Sequence, residues 1–261
     1  MRKHFSLLLA VLLLCCALPT LAGESLKSEF FDTPQAAVAA LVQRVAEGNL
    51  ENALNTMADQ AIAQEYDYAA YVQRVRHISP TMPLPSPSDY APYVPLNALR
   101  KRSQNSCQLH MLITSLVLPE VNLLHPIKAT EEGIQAGYGT VPITEYVARY
   151  DPEHLKGLAL HSVLKLDSAR FHCEPNQQRM TRIAAIYGYL EQQELLAFLF
   201  YNGELWQLGL SAARFEKGWQ LTDLYAVLIG TDVSGGATLT DEAAVQALLD
   251  SGDYVLVYAA E

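Results

Sequence analysis

Residues 195–210, LLAFLFYNGELWQLGL, decide the fold. Asn202 and Gly203 both tolerate a positive φ, and such a pair between two apolar runs is a strong signal of a two-residue β-hairpin. That turn places Leu199 opposite Trp206 and sets the register of both strands. The sequence therefore predicts an antiparallel sheet built outward from this hairpin.

The predicted sheet extends on both sides into a four-stranded meander, Met180–Ile229. Upstream, a turn at Glu191–Glu194 would join the hairpin to a strand that begins at Met180. Downstream, residues 216–218 fit a three-residue loop with Gly in the left-handed position. This loop would place Phe215 opposite Trp219. It would also bring Ser211 opposite Asp223.

Side chains alternate across a strand, so these registers sort the meander onto two faces. One face is almost wholly apolar and needs cover from other elements: Ile186, Leu190, Leu195, Ala197, Leu199, Trp206, Leu208, Leu210, Leu224 and Leu228. The other is aromatic with a few polar groups, as in the wall of a ligand pocket: Tyr187, Tyr189, Leu196, Phe198, Phe200, Gln207, Ser211, Asp223 and Tyr225. We predict that this second face, Leu196 apart, binds a ligand.

The N-terminal segment is typical of a signal peptide, residues 1–22. A basic start, an apolar run over 6–18 and the small-residue site Thr20-Leu21-Ala22 give the three expected regions. The sequence thus predicts export to the periplasm or the extracellular space. The apolar run is too short for a membrane span, and no segment of the mature chain is predicted to span a membrane.

The charge balance limits the partners. The chain has 18 Lys and Arg residues against 28 Asp and Glu, a formal net charge of −10. Loss of Arg2 and Lys3 with the signal peptide would make it more acidic still. An acidic surface argues against nucleic acid as a partner.

Three helices are predicted near the start of the mature chain. Thr33 can cap the first, Pro34 suits its first position and Gly48 its end. A short second helix covers about 50–58 and a third about 61–78. The tyrosines at 66, 68 and 71 in the third helix are interpreted as packing residues.

The middle of the chain is less regular. Prolines crowd residues 79–95, which predicts an irregular loop or lid. Arg100-Lys101-Arg102 is interpreted as a solvated turn. The apolar run Cys107–Leu118 predicts a buried strand, and alternation over 158–166 predicts another.

The C-terminal part, 232–261, is predicted as a linker, a short helix over 241–250 and a strand-like tail over 254–258. Residues 23–231 would then form a single α+β domain. In it, N-terminal helices pack on a curved antiparallel sheet.

The cysteines and histidines give few sites. Cys107 and Cys173 remain after cleavage, and an exported chain with an even cysteine count favours a disulfide between them. The alternative is two unpaired thiols. The histidine spacings match no metal motif, so neither a metal site nor a cofactor is predicted.

Two runs near the N terminus, Asp32–Val38 and Ala46–Leu54, resemble the opening of nuclear-transport-factor-two-like domains, the cystatin-like cone of secreted bacterial proteins. The Gly-Trp step within Lys217–Leu221 resembles their last strands. The resemblance covers about 29–78 and 180–229, and it implies a cone in which helices cover one face of the sheet. Such domains include cyclases and isomerases as well as non-catalytic modules, so the fold does not give the function.

Three functions stay open. The first is a non-catalytic exported domain that binds a small apolar ligand or an envelope protein partner. The second is an isomerase- or cyclase-type enzyme, in which Asp223 among the aromatic rings has a raised pKa and acts as a general base. The third is a structural envelope protein that works through its proline-rich loop and C-terminal tail. The family's catalytic carboxylates do not map onto this chain, which favours the first.

Overall fold

The computed structural model describes residues 27–79, 82–120, 128–136, 139–229 and 233–260. The predicted signal peptide lies outside these residues. The α-helices within them are α1 (Pro34–Ala46), α2 (Leu50–Leu54), α3 (Asp59–Glu65), α4 (Tyr68–Val75), α5 (Pro87–Tyr90), α6 (Val94–Val117), α7 (Ile143–Ala148), α8 (Ala169–His172), α9 (Glu174–Tyr187) and α10 (Glu242–Asp250). Short 3₁₀ turns cover Ala91–Tyr93 and Pro152–Gly157.

The strands are β1 (Lys128–Ala129), β2 (Ile134–Ala136), β3 (Gly139–Val141), β4 (Ala159–Leu166), β5 (Glu191–Tyr201), β6 (Glu204–Phe215), β7 (Gly218–Asp223), β8 (Thr238–Thr240) and β9 (Tyr254–Ala259). The main sheet is antiparallel, with the order β7-β6-β5-β4-β9, and β8 pairs with β6. Strands β1 to β3 form a small separate sheet. The protein is therefore an α+β protein, as predicted.

The central hairpin has the predicted register. Leu199 pairs with Trp206 in β5 and β6, and the turn residues Asn202 and Gly203 have φ values of 52° and 83°. Both angles lie in the left-handed region that this type of turn requires. A short local signal thus fixes the longest strand pair of the sheet.

The next hairpin differs from the prediction. Its loop has two residues, because Phe215 pairs with Gly218 rather than facing Trp219. A β-bulge then shifts the register next to Ser211, so that this residue does lie opposite Asp223. The extra residue of the bulge compensates for the shorter loop.

Gly218 is required at the start of β7 for a steric reason. Its φ is 137°, and a Cβ there would lie 2.7 Å from the carbonyl oxygen of Phe31. The chain approaches so closely because Phe31 and Trp219 exchange backbone hydrogen bonds of 3.0 and 2.7 Å. The N-terminal segment thereby adds a bridge to the β7 edge.

The predicted strand that begins at Met180 is wrong. Residues 174–187 form helix α9, which has Pro175 in its first turn. Gly188, with φ 71°, follows its last residue. Proline in the first turn and glycine after the last are typical helix boundaries. The neighbour of β5 is instead β4, which confirms the strand predicted over 158–166.

The predicted buried strand at Cys107–Leu118 is also wrong. It belongs to the long helix α6, whose buried residues recur at helical spacing: Ala98, Arg102, Asn105, Leu109, Leu112 and Leu116. The proline-rich loop is shorter than predicted, because α5, a 3₁₀ turn and the start of α6 occupy residues 87–95. Each of these begins with a proline in its first turn, where no intrahelical hydrogen bond is lost.

The main core lies between helices α1 and α6 and one face of the sheet. The predicted apolar-face residues from Leu195 to Leu224 join it, with Val38, Leu41 and Leu112 from the helices. On the opposite face, α10 covers a second cluster around Phe198. Strands β8 and β9 pair with the sheet, and the domain boundaries stay a prediction.

Candidate functional site

A cavity of about 340 Å³ lies where α3, α4 and α6 meet the end of α9. The predicted ligand-binding residues that line it are Tyr187, Tyr189 and Asp223. The rest of its wall comes from the helices and their connections: Ile62, Ala63, Tyr66, Tyr71, Pro83, Asn97, Arg100, Lys101 and Gln104. The candidate site is thus built mainly by helices rather than by a sheet face.

The other predicted ligand-binding residues lie elsewhere. Phe198 is fully buried in the cluster beneath α10, whereas Phe200 is exposed. Gln207 lies where β6 pairs with β8. The Ser211 hydroxyl donates to the Tyr225 carbonyl at 2.7 Å. The predicted aromatic face separates because Tyr187 and Tyr189 lie at the end of a helix and after it, not on a strand.

Tyrosine rings form one wall of the cavity. Tyr66 stacks on Tyr187 with 5.9 Å between ring centroids, and Tyr187 stacks on Tyr189 at 5.6 Å. The ring centroid of Tyr71 lies 5.8 Å from that of Tyr66. Tyr189 then meets Phe215 edge to face. Such aromatic contacts fix ring orientation, so the wall is formed before any ligand binds.

Asp223 is held by two side chains of α6. Lys101 Nζ donates to Asp223 Oδ1 at 2.9 Å, and Gln108 Nε2 donates to the same oxygen at 3.3 Å. Gln108 also accepts from the Leu224 amide at 2.8 Å and donates to Ser234 Oγ at 2.9 Å. The carboxylate therefore joins α6 to the end of β7.

The Tyr66 hydroxyl stands out among the polar groups of the site. Tyr66 is 3% exposed, and its hydroxyl has no hydrogen-bond partner within the described chain. Burial raises the pKa of this phenol, neighbouring tyrosines raise it further, and the Arg100 charge opposes them. Tyr66 thus stays a neutral hydroxyl that can donate or accept.

A buried charged cluster lies between α3 and α6. Arg102 donates to Asp59 Oδ2 at 3.1 Å and to Glu51 Oε1 at 2.5 Å. Asn105 donates to the other oxygen of Asp59, and Asn55 accepts from Arg102 at 3.1 Å. Asp59 is 1% exposed, so this cluster fixes the helix pair that carries one side of the cavity.

Asp59 makes the stability depend on pH. Burial raises the pKa of Asp59 from 3.8 to about 6, although Arg102 and Asn105 act in the opposite direction. The folded chain then binds this proton more tightly than the unfolded chain. The contribution of this proton to the free energy of unfolding is fully present below about pH 4. It is lost as the pH rises through about 6.

We therefore compare wild type with Asp59→Asn, which stays neutral at every pH. The free energy of unfolding of the wild type, relative to this variant, should fall by about 2 kcal/mol between pH 4 and pH 7. Urea unfolding at four pH values measures the difference. A difference that moves in favour of the wild type as the pH rises would show that the Arg102 charge outweighs burial.

The predicted disulfide is not present. Cys107 and Cys173 are both free and exposed. Cys107 lies on α6 rather than on the predicted strand, and Cys173 directly precedes α9.

No group of three or more His, Cys, Asp or Glu side chains in the described ranges could hold a metal ion. In the same ranges, no helix combines the length and the apolar character needed to cross a membrane.

Sequence reasoning missed the helical side of the site. Arg100-Lys101-Arg102 was interpreted as a solvated turn and Tyr66 and Tyr71 as packing residues. A helical reading of α6 would have placed positions 97, 100, 101, 104 and 108 along one side. Because a strand is predicted at Cys107–Leu118, the sequence analysis does not place these positions on one helix.

No family model and no curated protein matches this sequence. Among solved structures, the chain is similar to a cystatin-like protein from Ruminococcus gnavus ATCC 29149, with a TM-score of 0.52 and 16% identity. The match covers 87% of this chain and 45% of that chain, so this chain spans less than half of it. The likeness supports the cone-like fold, and at this identity it shows the fold alone.

Proposed function

We propose that the chain is an exported, non-catalytic domain whose tyrosine-lined cavity binds a small, flat, largely apolar ligand. The observation that carries this proposal is the convergence of four tyrosines on one cavity. Tyr66, Tyr71, Tyr187 and Tyr189 come from separate stretches of sequence yet line the same space. Export rests on the signal-peptide pattern of residues 1–22.

Cavity size and lining support a small molecule. About 340 Å³ lies at the lower end of the usual range for ligand pockets, ~300–1,000 Å³. A molecule with one or two fused rings suits that volume. Stacked tyrosine faces match a flat ligand. The polar side chains of the wall, which range from buried Asn97 to exposed Arg100 and Gln104, can fix its orientation.

The arrangement favours binding over catalysis. A general base must reach the proton that it removes, whereas Asp223 Oδ1 already accepts from Lys101 and Gln108. Both contacts join Asp223 to α6, which fits a structural role. The isomerase- or cyclase-type alternative, which uses Asp223 with Tyr187, Tyr189 or Tyr225, therefore has less support.

Tyr187→Ala tests the proposal, with 2-naphthamide as a neutral flat probe. We expect the probe to bind the mature wild-type chain and to shift the NMR signals of the Ile62 and Ala63 methyl groups. The variant should bind it about tenfold more weakly, because it loses a stacking ring at the cavity wall. Calorimetric titration measures both dissociation constants.

Tyr225→Ala is the matched control. Tyr225 belongs to the aromatic face predicted from the sequence, but it does not line this cavity. Its variant should bind 2-naphthamide as the wild type does. Equal weakening by both substitutions would place the ligand on the sheet face instead, and no binding to the wild type would overturn the proposal.

A further inference from the structure

The cavity carries an excess of positive charge. Arg100 and Lys101 both line it, and Asp223 is the acidic residue in its wall. Lys101 is neutralised by Asp223 at 2.9 Å. Arg100 forms no ion pair or side-chain hydrogen bond within the described residues. The exposed guanidinium of Arg100 is thus available to a ligand, in a chain whose formal net charge is −10.

A second observation points the same way. The buried hydroxyl of Tyr66 has no partner in the described chain, and leaving a buried hydroxyl unpaired costs about 1–3 kcal/mol. Tyr66 lines the same cavity as Arg100, and the Arg100 charge acts on its phenol. A hydrogen-bond acceptor on a ligand would suit the Arg100 charge, and Tyr66 adds to the same wall a second polar group that lacks a partner.

The charge pattern also separates two kinds of ligand. A cluster of aromatic rings with a carboxylate would suit a quaternary ammonium group. Here, however, the ammonium group of Lys101 already occupies the carboxylate of Asp223. A cationic ligand would have to displace Lys101 and would still face Arg100. An anion meets neither obstacle.

We propose that the ligand joins a flat apolar body to a carboxylate group, with the rings against Tyr66, Tyr187 and Tyr189 and the carboxylate on Arg100. This inference rests on the proposed function, because it names the chemical class of the ligand for the same cavity. Arginine suits this task because its planar guanidinium can donate two parallel hydrogen bonds to a carboxylate.

Three probes of the same shape test the charge preference in the mature chain: 2-naphthoate, 2-naphthamide and 2-naphthylmethylammonium. We expect 2-naphthoate to bind at least about tenfold more tightly than the amide, and the ammonium probe to bind more weakly than either. Arg100→Gln should remove the advantage of the carboxylate, so that the affinities for 2-naphthoate and 2-naphthamide differ by less than about twofold. Arg170→Gln is the control, because Arg170 does not line the cavity and its loss should change neither value.

The outcomes separate this inference from the proposed function. Equal binding of all three probes, weakened by Tyr187→Ala, would overturn the carboxylate preference and leave the cavity as a neutral binding site. Tighter binding of the ammonium probe would overturn it in favour of a cationic ligand. Absence of binding by every probe would overturn both proposals. Loss of the carboxylate advantage in Arg170→Gln as well would overturn the assignment to Arg100.

Discussion

Asp59→Ala should lower the free energy of unfolding by about 3–5 kcal/mol at pH 7, where the Asp59 carboxyl is ionised. The substitution leaves the guanidinium of Arg102 buried beside an empty volume and removes the acceptor of the Asn105 amide. Arg102 keeps Glu51 and Asn55 as acceptors of its Nη2, but its Nη1 loses Asp59. A buried charged donor without an acceptor is costly. The helix pair α3 and α6, which carries one side of the tyrosine cavity, should loosen with it.

Glu51→Ala is the matched control, because Glu51 also pairs with Arg102 but its side chain is 75% exposed. An exposed partner of this kind is worth at most about 1 kcal/mol. Urea unfolding of the mature wild type and of both variants at pH 7 gives the comparison. Equal losses of unfolding free energy for the two variants would show that the buried partner of Arg102 stabilises the fold no more than the exposed one. Retained stability in Asp59→Ala would show that Arg102 is satisfied without Asp59.

Local signals predicted the parts of the fold that depend on a few neighbouring residues. The Asn202-Gly203 turn fixes the central register, and Thr33 with Pro34 fixes the start of α1, where Thr33 Oγ1 accepts from the Ala36 amide at 3.2 Å. The loop before Gly218 was predicted too long. Its glycine serves a close approach to Phe31, a long-range contact that no local pattern shows.

Helix and strand were confused where both patterns fit. The apolar stretch Cys107–Leu118 lies against the sheet and is buried on so much of its surface that alternation and helical spacing cannot be told apart over a short window. The length of α6 resolves the ambiguity, because 24 residues are far too many for an ordinary strand. Both the missed helices and the misplaced pocket wall follow from this kind of ambiguity.

The candidate site was predicted only in part for the same reason. Tyr187, Tyr189 and Asp223 are predicted to share one face of the sheet, and the structure brings all three to one cavity. Their partners on α6, Arg100 and Lys101, were not. A side chain's position in a site depends on how helices pack, and this packing is set by residues distant in sequence.

Phe198 is predicted from the sequence to bind the ligand, but the structure places it in the core. Alternation along β5 places it on the predicted ligand-binding face. In the structure its side chain is 0% exposed and packs with Leu164, Leu196 and Val245 in the cluster that α10 covers. It is therefore a core residue on the face of the sheet that α10 covers.

Phe198→Ala should accordingly lower the free energy of unfolding by about 3–5 kcal/mol, because it removes a fully buried ring and leaves a cavity. The affinity for 2-naphthamide should stay unchanged under conditions where the variant is folded. Phe200→Ala provides the control from the same face of β5. Phe200 is 47% exposed, so its loss should cost less than about 1 kcal/mol. Urea unfolding and calorimetric titration of both variants decide the matter: a Phe198→Ala chain that keeps its stability but binds the probe tenfold more weakly would return the ligand to the sheet face and leave the tyrosine cavity without its proposed role.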